Sequence, residues 1–245
     1  PVYRDAMADY EEMEKSLCEI IGSGSEYFNT LNFRRANLTF ISDENGSITR
    51  KGIKGDFVKV DAKSLSCAEI KALSDVSDKI TFNGNKIDTP FYSVEIAPDG
   101  SFVSLYDKEL CREWVKGDFN KLKMYHDTPG NYDAWDILPN YREKEVAVNV
   151  LTPVSLAESD GECATFVVTL STEKSTWEMR IRVFRQSRGI EVENNVDWNE
   201  KHKLAKAVFD CNILTRKAVC DTSAGYIERE THRNTTWQQA RFETC

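Results

Sequence analysis

The chain has 245 residues, with 40 Asp and Glu against 32 Lys and Arg and a formal net charge of −8. A chain of this length can bury about 70–75% of its unfolded surface, enough for one large domain or two small ones. The acidic balance and the scattered basic residues argue against a nucleic-acid surface, which needs a basic stripe, and no run of about 18 apolar residues is present to span a membrane.

The chain opens at Pro1, which predicts a processed chain or one cut from something longer. Its seven cysteines are irregularly spaced, with no CxxC and no metal-ligand pattern. They are expected to act mostly as small buried hydrophobes in a reducing compartment, with the cytoplasm as the location. The triplets at Asn37, Asn45 and Asn234 carry meaning only for a secreted chain.

Residues 3–21 predict one helix, because Tyr3, Met7, Tyr10, Met13, Leu17 and Ile20/Ile21 recur at spacings of three and four. The "GSGS" at 22–25 stops it and makes a joint. A lone amphipathic helix either docks on the β part of the chain or is the stump of a helical bundle. Strand grammar begins after the joint: "YFNTLNF", "NLTFISD", the turn "ENGS" and "FVKVDA", with residues 68–74 a helical turn or a loop. Pro98-Asp99-Gly100 between Val94–Ile96 and Phe102–Tyr106 predicts a β-hairpin. Residues 146–156, 163–172, 175–185, 188–198 and 204–214 predict five strands of an antiparallel meander joined by tight turns. In "TWEMRIRVFR", Trp177, Met179, Ile181 and Val183 share one face. The fold expected is mainly β: an antiparallel β-sandwich with an N-terminal α-helix. Its parts are a helix over 1–22, a linker at 23–25, a small β region over 26–80 and the large sandwich over 81–245.

Three stretches carry chemistry. In "YHDTPGNYDAWDI", residues 125–137, Pro129-Gly130-Asn131 forces a turn. Asp133 and Asp136 with Tyr132 and Trp135 are sugar-binding types, since carboxylates take hydroxyls and aromatic faces stack on the C–H side of a pyranose. Two carboxylates about 5–5.5 Å apart also serve as the pair of a retaining glycosidase. The structural alternative has the aspartates capping turn N–H groups and the aromatics packed in the core. Residues 228–243, "ERETHRNTTWQQARFE", read as an irregular polar loop holding His232, Arg233 and Asn234, either functional or plain surface. His202, in "DWNEKHKL", reads as a surface residue at a turn. The three histidines, at 126, 202 and 232, bind a metal only if the fold gathers them.

In sequence and order, "FNTLNFRR", "FYSVEIAPDGSFVSLYDKELCREWV", "HDTPGNYDAWDI", "VDWNEKHKLAKAVF" and "HRNTTWQQARFE" resemble the C-terminal β part of family 38 α-mannosidases, the cytosolic and bacterial branch above all. The resemblance covers residues 26–245, and the helix looks like the last one of the family's middle domain. It implies a galactose-mutarotase-like supersandwich from a retaining, zinc-dependent α-mannosidase. The zinc ligands and the nucleophile would then lie on an N-terminal catalytic domain, leaving this part with no catalytic residue, metal or cofactor of its own. Tyr132, Asp133, Trp135, Asp136, His232, Arg233 and Asn234 would form or support the rim of the sugar pocket. Implied partners are the catalytic α/β and helical domains of the same polypeptide and a mannose-containing oligosaccharide. Two other readings stand beside this one: a free-standing carbohydrate-binding module, and a scaffold that makes a homo-oligomer through exposed strand edges.

Overall fold

The computed structural model describes residues 2–21, 28–29, 31, 33–46, 48–50, 53–73, 79–132, 135–232 and 234–236. The expected linker at 23–25 and two expected site residues, Asp133 and Arg233, lie outside them. The chain divides into two compact units, Pro1–Ser77 and Asp78–Cys245. The described parts are mainly β, with antiparallel sheets and an N-terminal helix.

The first unit holds α1 (Val2–Ile21), β1 (Phe28–Asn29), β2 (Arg35–Ser42), β3 (Ile48–Arg50), β4 (Ile53–Ala62), β5 (Ser66–Cys67) and β6 (Glu69–Ala72). The apolar stripe of α1 is where the spacing predicts it, yet Tyr3, Met7, Tyr10, Met13 and Leu17 are all exposed. The helix therefore leaves those side chains unburied. β4 is the spine of the sheet: β2 pairs with one edge, while β3 and β6 share the other. Phe40 and Phe57 face each other in register and pack edge to face, with ring centroids 5.5 Å apart. Two expectations are corrected here. Residues 68–74 contain the strand β6 rather than a helical turn or loop, because β4 has an open edge for it to pair with. Of "YFNTLNF", only Phe28–Asn29 is described as strand. There Asn29 is buried and its amide donates to Phe33 O at 2.7 Å and Lys63 O at 2.9 Å; Leu31 and Phe33 are not strand, and Tyr27, Thr30 and Asn32 lie outside the described residues.

The second unit begins with β7 (Thr81–Asn83), β8 (Lys86–Asp88), β9 (Tyr92–Ile96), β10 (Phe102–Asp107) and β11 (Arg112–Glu113), which form one five-stranded sheet in sequence order. β12 (Val115–His126) and β13 (Glu145–Val146) come next, then β14 (Asn149–Ser159), β15 (Cys163–Ser171), β16 (Thr176–Phe184) and β17 (Ile190–Asp197). The last four are the expected meander. The alternation expected in β16 is realised: Trp177, Met179, Ile181 and Val183 are all buried. They meet Ile87, Val94, Ile96, Phe102 and Leu105 of the five-stranded sheet and Met124 of β12 in one apolar cluster, so the two sheets share a core between their facing sides. The β9–β10 turn is pressed against that core. A Cβ on Gly100, whose φ is +82°, would come within 2.8 Å of Val168 Cγ1, so only glycine suits the place.

The fifth strand of the expected meander behaves differently. β18 (Lys203–Cys211) leaves the four-stranded sheet and pairs with β12, giving the order β13-β12-β18. The turn before it is tied down elsewhere: the buried Glu200 carboxylate accepts from Thr172 Oγ1 at 2.6 Å and Lys174 N at 2.8 Å, and Asn199 N donates to Ser175 Oγ at 2.8 Å. β12 itself is not among the strands that the sequence predicts. Its register shifts twice, between Val115 and Phe119 and between Phe119 and Lys121, which destroys the period of two. Asn120 sits at the second irregularity with φ +54°, buried, and donates to Gly100 O at 3.0 Å. Finally β19 (Lys217–Thr222) and β20 (Gly225–Glu230) make a separate hairpin. Residues 228–230, expected in an irregular loop, are thus strand, stabilised by pairing that a polar composition does not announce. The cysteine expectation is also overturned: of the five whose side chains are described, only Cys163 is buried, while Cys67 and Cys111 are exposed.

Two outcomes test this core. Ile181 is 0% exposed, so Ile181→Ala should cost about 2–5 kcal/mol of unfolding free energy in urea titrations, whereas Val219→Ala on the exposed hairpin should cost under about 0.5 kcal/mol. The second concerns Asp107, 1% exposed. The amide of Leu110 does most to hold its carboxyl below the ordinary value; burial pushes the other way, and the Trp114 indole, the Arg188 charge and the Glu109 amide reinforce the lowering. A group depressed in the folded state stabilises above its unfolded pKa of about 3.9 and loses that contribution as pH falls through the folded value. The melting temperature should therefore drop below about pH 4. In D107N it should be lower at neutral pH and fall less steeply on acidification.

Candidate functional site

β12 ends at His126, and the chain then runs out through residues 127–140 before a 3-10 turn, Tyr141–Glu143, returns it to β13. The excursion is closed at its base. Asp127 Oδ1 accepts from Leu138 N at 2.7 Å, and Asp127 N donates to His202 O at 2.9 Å in the β17–β18 turn. His202 takes a positive φ of 52° and is exposed, a turn residue as expected. Within the loop, Trp135 N and Asp136 N both donate to Tyr132 O at 2.8 Å. Tyr132, with φ +56°, is the pivot of this tight turn.

The result decides half of the question left open by the sequence. An aspartate does cap the loop, but it is Asp127. The aromatics do not pack in the core: Trp135 is 84% exposed and Tyr132 is 72% exposed, and Asp136 beside them is exposed too. Two aromatic faces and a carboxylate are held out to solvent on a short, pinned loop.

Behind the loop is a firm post. Tyr125 at the end of β12 packs edge to face on Tyr141, with centroids 5.1 Å apart, and Tyr141 is 3% exposed. Lys206 Nζ on β18 donates to the Tyr141 hydroxyl at 2.7 Å and Arg142 Nε at 3.2 Å, and both cations also lie over its ring. Burial pushes this phenol up. The hydrogen bonds from Lys206 and Arg142, with their charges, outweigh it and leave the group below the ordinary tyrosine value. Asp127, Tyr141 and Lys206 are the residues that sequence reasoning missed. Asp127 stood inside the quoted stretch and could have been found as the residue before a turn, whereas nothing local marks Lys206, which reaches Tyr141 across 65 residues.

The second expected group is held by other contacts. Thr231 anchors it, donating from N to Arg216 O at 3.1 Å and from Oγ1 to Thr215 O at 2.6 Å. His232 Nε2 stands 3.7 Å from Glu230 Oε2, and Asn234 N donates to His232 Nδ1 at 3.4 Å. The structure thus brings Tyr132, Trp135 and Asp136 together in one turn and His232 and Asn234 in another. Among the described residues no three His, Cys, Asp or Glu side chains form a metal-binding cluster, so these residues do not fit a zinc ion. No described helix is long and apolar enough to cross a membrane.

The comparisons with known proteins agree with one another. The profile of the glycosyl hydrolases family 38 C-terminal domain matches residues 87–245. Alpha-mannosidase G of Dictyostelium discoideum is 35% identical over 164 residues, 64% of this chain and 15% of that protein. Alpha-mannosidase 2C1 of Homo sapiens is 26% identical over 164 residues, again 64% of this chain and 16% of that protein. The crystal structure of an alpha-mannosidase from Enterococcus faecalis V583 shares the fold, with a TM-score of 0.52 at 12% identity, over 90% of this chain and 30% of that one. The chain thus matches only about a sixth of the length of these curated relatives. With the family profile covering all but the first of its two units and part of one further strand pair, the chain belongs to glycosyl hydrolase family 38 and carries that family's C-terminal domain.

Proposed function

We propose that this chain is the non-catalytic C-terminal part of a retaining, zinc-dependent α-mannosidase that removes terminal α-mannose, and that its 127–140 loop completes the wall of the sugar pocket. The observation that carries this reading is the display of Trp135 and Tyr132 beside Asp136 on a loop pinned at both ends. An aromatic face laid against the apolar side of a pyranose and a carboxylate accepting from its hydroxyls are the few well-placed groups a sugar site needs. Asp133 belongs to the same proposed rim, and His232, Arg233 and Asn234 to a neighbouring part of it. The alpha-mannosidase relatives support the substrate class. The catalytic α/β and helical domains, which would hold the zinc and the nucleophile, are the proposed partners within one polypeptide, and the cytoplasm is the proposed location. The supersandwich arrangement belongs to the same proposal. Because the described residues do not fit a zinc ion, no step through a metal is assigned to them.

The role left to this chain is to orient the sugar and exclude water from it. Asp127 is a positioning residue in this scheme, because it holds Leu138 and so the mouth of the loop.

The same exposed aromatics favour a second reading, a module that binds carbohydrate unaided, since both rings are already open to solvent in this chain. A calorimetric or NMR titration of the isolated chain with mannose and an α-mannoside, with a hydrolysis assay beside it, separates the two. The accessory reading expects no hydrolysis and no saturable binding. Saturable binding without hydrolysis would replace it with the module, and hydrolysis surviving removal of contaminants would refute both.

In the complete enzyme, Trp135→Ala should lower kcat/KM at least about tenfold, equivalent to about 1.4 kcal/mol. Asp127→Ala should act in the same direction, and Asp127→Asn, which keeps an oxygen to accept from Leu138, should restore most of the loss. Unchanged kinetics in Trp135→Ala with intact folding would remove this loop from the pocket.

A further inference from the structure

The sequence contains two Asn-Gly pairs, Asn45–Gly46 and Asn83–Gly84. After an asparagine, glycine leaves the main chain free to turn its own nitrogen onto the side-chain carbonyl carbon, because no Cβ stands in the way. Both asparagines are exposed, so solvent access does not separate them. The surroundings of the two glycines do.

Gly46 N donates to Asp43 O at 3.0 Å, and Asn45 N donates to Asp43 Oδ1 at 2.9 Å. Gly46 also lies directly against the backbone of Gly55, which leaves no room for the chain to swing. The nucleophilic nitrogen there is both engaged and walled in. Gly84 is the opposite case. It begins the two-residue turn between Asn83 and Lys86, with φ +62°, and an added Cβ would meet nothing within 4 Å. Its N–H finds no acceptor among the described residues.

We propose that Asn83–Gly84 is a site of spontaneous modification, at which Asn83 converts through a succinimide to aspartate and isoaspartate. The Gly84 nitrogen attacks Asn83 Cγ and the N–Cγ bond forms. The Cγ–Nδ2 bond breaks, and ammonia departs with the two amide hydrogens and the one released from Gly84 N. Water then opens the five-membered imide at either carbonyl. No oxidant, metal or second protein takes part. The product puts a new carboxylate on the lip of a cleft of about 490 Å3 on the sheet of β7–β10, which Asn83, Lys86, Asp88 and Glu95 help to line. Lys86, the register partner of Asn83, already stands 3.6 Å from Glu95 and gains a second anionic neighbour. The isoaspartate product also lengthens the main chain by one methylene at the end of β7 and loosens its pairing with β8. This assignment does not depend on the mannosidase reading.

The test is incubation of the whole 245-residue chain at mildly alkaline pH, in buffer and in urea, followed by proteolysis and mass spectrometry with chromatographic separation of the aspartyl and isoaspartyl peptides. In buffer, the Asn83 peptide should convert at least about fivefold faster than the Asn45 peptide, since freeing the Gly46 N–H costs a net ~1 kcal/mol. In urea, where neither glycine is held, the two rates should converge. Equal rates in buffer, faster conversion at Asn45, a difference that persists in urea, or an Asn83 peptide that converts only in urea would each overturn the proposal.

Discussion

The second unit turns on one buried carboxylate. Asp107, at the end of β10, accepts from the amides of Glu109 and Leu110 at 3.0 Å each, from the Trp114 indole at 3.4 Å and from Arg188 at 2.5 Å. The first three contacts shape the β10–β11 corner. The fourth crosses to the turn between β16 and β17, so the same group ties the five-stranded sheet to the four-stranded one. Arg188 also lies over the rings of Phe91 and Tyr92, 5.8 and 5.3 Å from their centroids. A buried charge is tolerable only when its lone pairs are met and its sign is balanced. Here both conditions hold, and the apolar faces on either side are thereby aligned over a common core. The neighbouring Glu113 works in the same way, with one oxygen accepting from both Leu105 N and Val115 N at 2.8 Å, in place of ladder bonds that the short β11 cannot make.

The candidate site grows from the other end of this frame. Beyond its two register shifts β12 pairs regularly with β18, contributes Met124 to the core and carries Tyr125 and His126 to the base of the loop. β18 leaves the meander and so becomes the partner that supplies Lys206 to Tyr141. The loop is thus held by a strand that is irregular and a strand that changes sheets. Both are departures from simple sandwich grammar, and both support the base of the loop on which Trp135 and Tyr132 are exposed. Rigid elements under an exposed loop are the usual way a β scaffold carries recognition.

The chain matches about a sixth of its curated relatives' length. Its described residues gather no metal-binding cluster. What they offer is a surface: an aromatic pair with a carboxylate on one loop, a histidine with an asparagine after β20, and an exposed apolar stripe along α1. The loop and the segment after β20 both lie within the matched family 38 C-terminal domain, and α1 lies outside it.

Much of the fold was legible in the residues themselves. The α1 stripe, the β9–β10 hairpin at Pro98-Asp99-Gly100 and the four strands of the meander arise from periods of 3.6 and 2 and from turn chemistry, which are local and act over a few bonds. The family was legible too, because the "DAWD" and "THRNTTW" stretches are distinctive in order and type. The features that stayed open were those settled by distant partners. β12 lost its alternation to two register shifts, at the second of which Asn120 donates to Gly100 O. β18 looked like a fifth meander strand until the Glu200 turn and the edge of β12 claimed it. β6 and β20 are strands because an open edge or a partner strand was available to them. Composition favoured packing Tyr132 and Trp135 in a core over placing them on a rim, and the folded loop, closed by Asp127 and Leu138, leaves both exposed. Local bonding writes the period of an element; which edge it joins and which way its side chains face depend on contacts tens of residues away, and those exist only once the chain has folded.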